Sequence, residues 1–238
     1  MAEVLTLAEQ TIAVVRKDIQ HVHLSVLPPD GRVHASVPRA ANNEALRAFI
    51  IRKLPWIRTQ QRTMHAQERE PARALVTRES HYLWGRRYLL QVREADAPPK
   101  VEALARHLRL TVRPGTGPAA RDEILQAWYR EQVRAAVQAL LPIWEPRLGV
   151  REVRVAVRRM KTRWGSCSPT TKTIRLNTDL AKKPRECLEY LVVHEMVHFL
   201  DRTHGPRFLG LMDRHFPAWR IIRDRLNRLP LAHVEWEY

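Results

Sequence analysis

Acidic side chains are scarce in this chain of 238 residues: Asp and Glu total 25 against 41 Lys and Arg, a formal net charge of +16 and an isoelectric point near 10.9. Such an excess points to attraction toward something anionic, and nucleic acid is one candidate partner for the basic surface. Arginine supplies most of it, the cation better suited to phosphate. Cysteine is almost absent. Cys167 and Cys187 are too few for a disulfide framework or a Cys-rich zinc site, so reduced thiols are expected. Only 8 glycines are present and none forms a Walker-type loop, so any phosphate would have to be held by arginine and metal. No apolar run approaches a membrane span, and Met1–Leu7 has neither a basic leader nor a long apolar core. No membrane partner and no signal peptide are expected, and the expected location is cytoplasmic. No internal repeat or low-complexity segment is visible. With 45% hydrophobic residues the chain is globular, with room for one large domain or two small ones.

Val22, Leu24 and Val26 alternate with polar residues, Pro28-Pro29-Asp30-Gly31 signals a turn, and Val33, Ala35 and Val37 alternate again, which predicts a hairpin. His21, His23 and His34 fall on its polar face, where a solvated strand face is the expected reading. Asn42 or Asn43 can cap a helix reaching about residue 66. Strands are expected over Tyr82 to Val92, with a turn at Gly85, and over Leu108 to Val112. Pro114-Gly115-Thr116-Gly117-Pro118 is the clearest linker signal and predicts a boundary there: an N-terminal β-rich subdomain with one helix over 1–118 and a catalytic domain over 119–238. A long helix is expected from about Arg121 to Glu145. Strands around Val155, from Thr162 to Cys167 and from Thr173 to Asn177 precede a helix opened by Pro184. One or two further helices are expected up to about residue 228.

That Pro184 helix carries the chemistry. Leu188, Leu191, Val192, Val193, Met196, Val197, Phe199 and Leu200 surround it with apolar residues at almost every angle, so it is expected to be buried. Within it lies His194-Glu195-Met196-Val197-His198. Imidazoles four residues apart stand one turn above each other and can grip one ion, while Glu195 is left to take a proton from water on that ion. Two imidazoles and a carboxylate in a buried helix cost several kcal/mol unless partnered, and a metal ion is the natural partner.

A catalytic zinc site takes three protein ligands and leaves one position open. Asp201, His204, Asp213 and His215 are the candidates for the third. No glutamate occurs between Glu195 and Glu235, so an arrangement with a glutamate about twenty residues downstream lacks its ligand. His204 fits the spacing best, flanked by Thr203 and Gly205 where the chain can turn back. The His–x3–His–x5–His length matches the metzincin pattern, but Asp201 stands where that group has its turn glycine.

Other segments extend the pattern: Arg159-Met160-Lys161-Thr162-Arg163-Trp164-Gly165-Ser166-Cys167, then Leu176-Asn177, then the metal motif, then His204-Gly205-Pro206-Arg207-Phe208. In this order they resemble the YgjP-like metallohydrolase family, related to the SprT-like and WLM zinc metallopeptidases. The resemblance extends over most of residues 10–225. It implies an α+β fold with a zincin-like minimal metalloprotease core, a small sheet packed on the active-site helix. It also implies one zinc ion per chain held by His194, His198 and His204, with Glu195 as general base. The strand Arg163, Trp164, Gly165, Ser166 and Cys167 would border the substrate cleft, where an extended peptide could add as a strand. Cys167 reads as a buried structural thiol, and Arg163 as a cation facing developing negative charge.

Three functions compete. The first is a zinc metallopeptidase acting on peptide or protein. The second is a metal-dependent nucleoside triphosphate pyrophosphohydrolase, favoured by the basic run from Arg151 to Arg185, opposed only by Glu152 and Asp179. The third is a nucleic-acid-binding module with structural zinc, which an uncommitted Glu195 beside an open coordination position argues against.

Overall fold

The computed structural model of the chain describes residues 3–27, 31–66, 73–160 and 163–229. These fall into two compact units, residues 3–66 and residues 73–229. Architecture is mixed α+β, with three small sheets and five α-helices among the described residues. No described helix is long and apolar enough to cross a membrane.

The first unit opens with strands β1 (Glu3–Leu7) and β2 (Gln10–Lys17), joined by Ala8 and Glu9, both at positive φ. That is the backbone of a tight two-residue hairpin turn, whose twist matches the strands it joins. Strands β3 (His23–Leu27) and β4 (Arg32–Pro38) form the hairpin expected around Gly31; Pro28, Pro29 and Asp30 lie outside the described residues. The sheet runs β1-β2-β4-β3, with β2 and β4 parallel. Ile12, Val14, Val33, Ala35 and Val37 face one way by alternation. They share a small core with Leu46, Ile50 and Ile57 of helix α1 (Asn43–Ala66).

The second unit repeats this plan. Strands β5 (Ser80–Leu83) and β6 (Arg86–Glu94) are joined by Trp84 and Gly85, again both at positive φ. Strands β7 (Lys100–Ala103) and β8 (His107–Val112) follow, and the order is β5-β6-β8-β7, with β6 and β8 parallel. A long helix α2 (Pro118–Leu148) comes next, as α1 follows the first sheet. Buried positions correspond as well: Tyr88 and Leu90 on β6 match Ile12 and Val14 on β2. The chain therefore contains a structural repeat where no repeat is visible in the sequence.

The expected boundary at 114–118 is corrected. Leu108, Leu110 and Val112 of β8 share one core with Leu125, Tyr129 and Val133 of α2 and with Leu188, Val192 and Met196 further on. The Pro-Gly segment is a tight turn. Thr116 N–H and Oγ1–H both donate to the Arg113 carbonyl at 3.2 and 2.7 Å, Gly117 caps α2, and Pro118 occupies its first turn.

Beyond α2, strands β9 (Arg154–Arg158), β10 (Gly165–Ser168) and β11 (Thr173–Asn177) form a three-stranded sheet in the order β10-β11-β9. Lys161 and Thr162 lie outside the described residues. A 3₁₀ turn over Thr178–Lys182 then leads into helix α3 (Arg185–Val197), against which β10 and β11 lie. The β5–β6 turn docks on this turn: Trp84 N–H donates to the Ala181 carbonyl at 2.7 Å and Gly85 N–H to the Lys182 carbonyl at 3.3 Å. Helices α4 (Pro206–His215) and α5 (Trp219–Arg228) close the unit.

Candidate metal centre

Helix α3 is buried as its apolar surround demands, with Leu191, Val192, Val193, Met196 and Val197 all in the core. It ends at His198. Phe199, Leu200 and Asp201 N–H groups bond back to Met196 and Val197 carbonyls, at 2.9–3.0 Å, so the chain turns off the helix axis there. Asp201 accepts Thr203 N–H and Oγ1–H at 3.0 and 3.1 Å, tightening the loop. Gly205 then caps α4 and Pro206 starts it. The result returns His204 to the face that carries His194 and His198.

One ring nitrogen from each of His194, His198 and His204 lies within 4.8 Å of the others, the one His/Cys/Asp/Glu group among the described residues able to converge on an ion. His194 Nε2 and His204 Nε2 stand 3.2 Å apart. His198 Nδ1 is 3.0 Å from the Asp201 carbonyl; a carbonyl can only accept, so Nδ1 carries the proton and Nε2 keeps its lone pair. Burial, with His198 and His204 beside it, pushes His194 down to about 3, and burial also lowers His204. Ring nitrogens brought this close form a donor set that fits a divalent cation. Phe208 of α4, 1% exposed, backs all three: its ring centroid is 5.0, 4.6 and 4.8 Å from those of His194, His198 and His204.

Glu195, 5% exposed, shares this cavity. Burial raises its carboxyl to about 7, against the pull of the Arg163 guanidinium. The cavity holds about 490 Å³. Arg163, Gly165, Ser166 and Cys167 form its strand side; Pro169 and Thr170 extend that side, and Arg202 joins His204 opposite them in sequence.

Several sequence expectations change here. Trp164 does not line the cavity: its ring packs on the core and lies 5.7 Å from Lys183 Nζ. It sits at the bend just before β10, outside the strand that borders the cavity. Cys167 is only half-buried and opens on the cleft, with its thiol raised to about 11 by burial and then by Glu195, so it stays protonated. Arg163 is exposed on the rim. Asp201 orients His198 and Thr203, and Asp213 is taken by Trp219 Nε1 at 2.8 Å and by Arg220. His215, at the end of α4, stands outside the histidine group. His23 and His34 sit on their strands opposite Ser36 and Ser25. Arg202 and Phe208 were not singled out as site residues by spacing, although Phe208 belongs to the His-Gly-Pro-Arg-Phe segment.

A family model described as YgjP-like, metallopeptidase domain, matches residues 21–229. Among solved structures, the metallopeptidase zymogen abylysin of Pyrococcus abyssi is 27% identical, covering 41% of this chain and 99% of its own, with a TM-score of 0.37. The metallopeptidase zymogen jannalysin of Methanocaldococcus jannaschii is 25% identical, covering 40% and 92%, with a TM-score of 0.34. No curated protein matches.

Proposed function

The chain belongs to the YgjP-like family of metallopeptidase domains, and from that premise we propose that it is a zinc metallopeptidase with a zincin-like core. In this reading His194, His198 and His204 hold one zinc ion and Glu195 is the general base. The observation that carries it is the convergence of three imidazoles and one buried carboxylate on a single open cavity. When bound, zinc supplies Lewis acidity, lowering the pKa of water and polarising the scissile carbonyl.

Glu195 takes the proton of the attacking water and hands it to the leaving amine. A carboxyl raised toward neutrality suits both transfers, since it neither holds the proton too weakly nor keeps it. Strand β10 is the edge strand of its sheet and borders the cavity, which supports an extended peptide adding alongside it. No Trp, Tyr or Phe, the largest stacking surfaces for a base, lines the cavity among the described residues. This favours a peptide over a nucleotide. Three ligands and a free carboxylate favour catalysis over a closed structural site.

The test is direct. Glu195→Gln should keep its zinc and lose cleavage of a denatured protein, and His204→Ala should lose zinc. Persistent cleavage by the first variant would remove Glu195 as the base; unchanged zinc content in the second would move the third ligand elsewhere.

A further inference from the structure

Two arginines rim the cavity from different elements. Arg163 stands two residues before β10, and Arg202 in the loop between α3 and His204; both line the cavity and both are exposed. Their backbones are pinned. The Arg163 carbonyl accepts from Asn177 Nδ2 at 3.0 Å, and Arg202 lies between Asp201 and Thr203, which are bonded to each other. Among the described residues neither guanidinium is in an ion pair, whereas Arg159, Arg220 and Arg225 each hold a carboxylate. Among the described residues Glu195 is the one carboxylate lining the cavity, and the proposed chemistry uses it. Arg202 is also near enough to Cys167 on β10 to favour its thiolate, so the loop cation reaches toward the strand side.

A cleft rimmed by two unpaired guanidinium groups, whose histidines would hold a divalent cation, attracts anions and repels cations. Guanidinium matches a carboxylate in shape, with two parallel N–H···O bonds. Exposure leaves the Arg163 guanidinium open to a substrate side chain, while its charge is also felt at Glu195.

We propose that Arg163 and Arg202 make this cleft selective for peptides with an acidic side chain beside the scissile bond. The inference rests on the peptidase reading and specifies its substrate class.

The experiment uses the full zinc-loaded chain and three peptides of equal length whose residues flanking one bond are acidic, amide or lysine. Wild type should favour the acidic peptide over the amide by about tenfold or more in kcat/KM, with lysine lowest. Arg163→Gln and Arg202→Gln should each shrink the acidic-to-amide ratio, mainly through KM. Arg202→Glu should turn the preference toward lysine. Equal rates on all three peptides, or a ratio unmoved in every variant, overturns the inference and leaves the peptidase reading standing.

Binding of the same labelled peptides to the zinc-loaded Glu195→Gln protein, followed by fluorescence anisotropy, is read independently of cleavage. Acid-selective binding that both glutamine variants weaken supports the inference; absence of cleavage in wild type overturns the peptidase reading and the inference with it. Inorganic triphosphate that displaces the acidic peptide far below that peptide's own Kd assigns the two arginines to phosphate and overturns it.

Discussion

The Cα of Gly165 faces the Glu195 side chain so closely that a Cβ there would stand 2.7 Å from Oε1 and 3.2 Å from Cδ and Cγ. Real Cβ atoms do not approach other heavy atoms to that distance, so with Glu195 placed as it is only glycine fits here. The contact joins the strand bordering the cleft to the helix carrying His194 and His198, the two segments the proposed chemistry uses. It also limits where the carboxylate can go, because a buried Glu195 has the strand backbone on one side.

Gly165→Ala must therefore displace Glu195 or push the strand outward. Cleavage should fall about tenfold to a hundredfold, the usual cost of misplacing a catalytic group by around an ångström. Zinc content should stay at the wild-type level, since no histidine moves. Peptidase rate and metal stoichiometry on the same preparation check this. Undiminished turnover would show that Glu195 can work from another position.

Phe208 acts on the other side of the centre, with its ring touching all three imidazoles. Phe208→Leu keeps much of the volume but removes the flat surface on which the rings rest. Zinc affinity should drop about tenfold to a hundredfold, as for other groups that orient metal ligands. Competition against a chromophoric chelator gives the number. Phe208→Ala adds a cavity and should cost about 3–5 kcal/mol of stability as well. Wild-type affinity in the leucine variant would reduce the ring to a space-filler.

Much of this centre was legible because its signals are local. His194, Glu195 and His198 lie on one helical turn, and the spacing to His204 needs only a short return loop. Helix α2 and strands β4, β8 and β11 were legible for a similar reason, a clear apolar period. Strand β7 was not: of its four residues only Val101 is buried. The unit boundary was misplaced because Gly117-Pro118 marks a helix start and a linker with the same residues. The repeated sheet leaves no sequence signal because its copies share strand order and buried positions but not residues, Ile12 and Val14 being replaced by Tyr88 and Leu90. Arg202 has no spacing signal at all; only the loop's return places it on the cleft.

Asn177 shows how the strand side is held. Its Nδ2 donates to the Met160 and Arg163 carbonyls at 2.8 and 3.0 Å, and its Oδ1 accepts from Met160 and Asp179 N–H at 3.3 and 3.2 Å. Asn177→Leu leaves these backbone groups without partners at a residue only 5% exposed. The loss should be about 2–4 kcal/mol, several buried bonds being broken together. Thermal melting should report it as a drop of roughly 5–15 °C for a chain of this size. A change below about 2 °C would mean that water replaces the side chain.

His81 makes stability depend on pH. It is 4% exposed on β5, and its Nε2 lies 2.8 Å from Glu79 Oε1. Burial and then the Arg73 charge lower its pKa below 6.5; Glu79 opposes them and Lys182 adds to them. The folded state thus keeps the ring neutral where the unfolded chain would protonate it. The sign follows: below pH 6.5 the unfolded state binds more protons, so stability is full above 6.5 and falls as pH drops through the window beneath it. His81→Gln removes this titration. The melting-temperature advantage of wild type over the variant should be largest above pH 6.5 and shrink on acidification. Taking the difference cancels His194 and His204, which titrate in both proteins. An advantage that stays flat or grows toward low pH would mean that the Glu79 carboxylate, rather than burial, sets the protonation of His81.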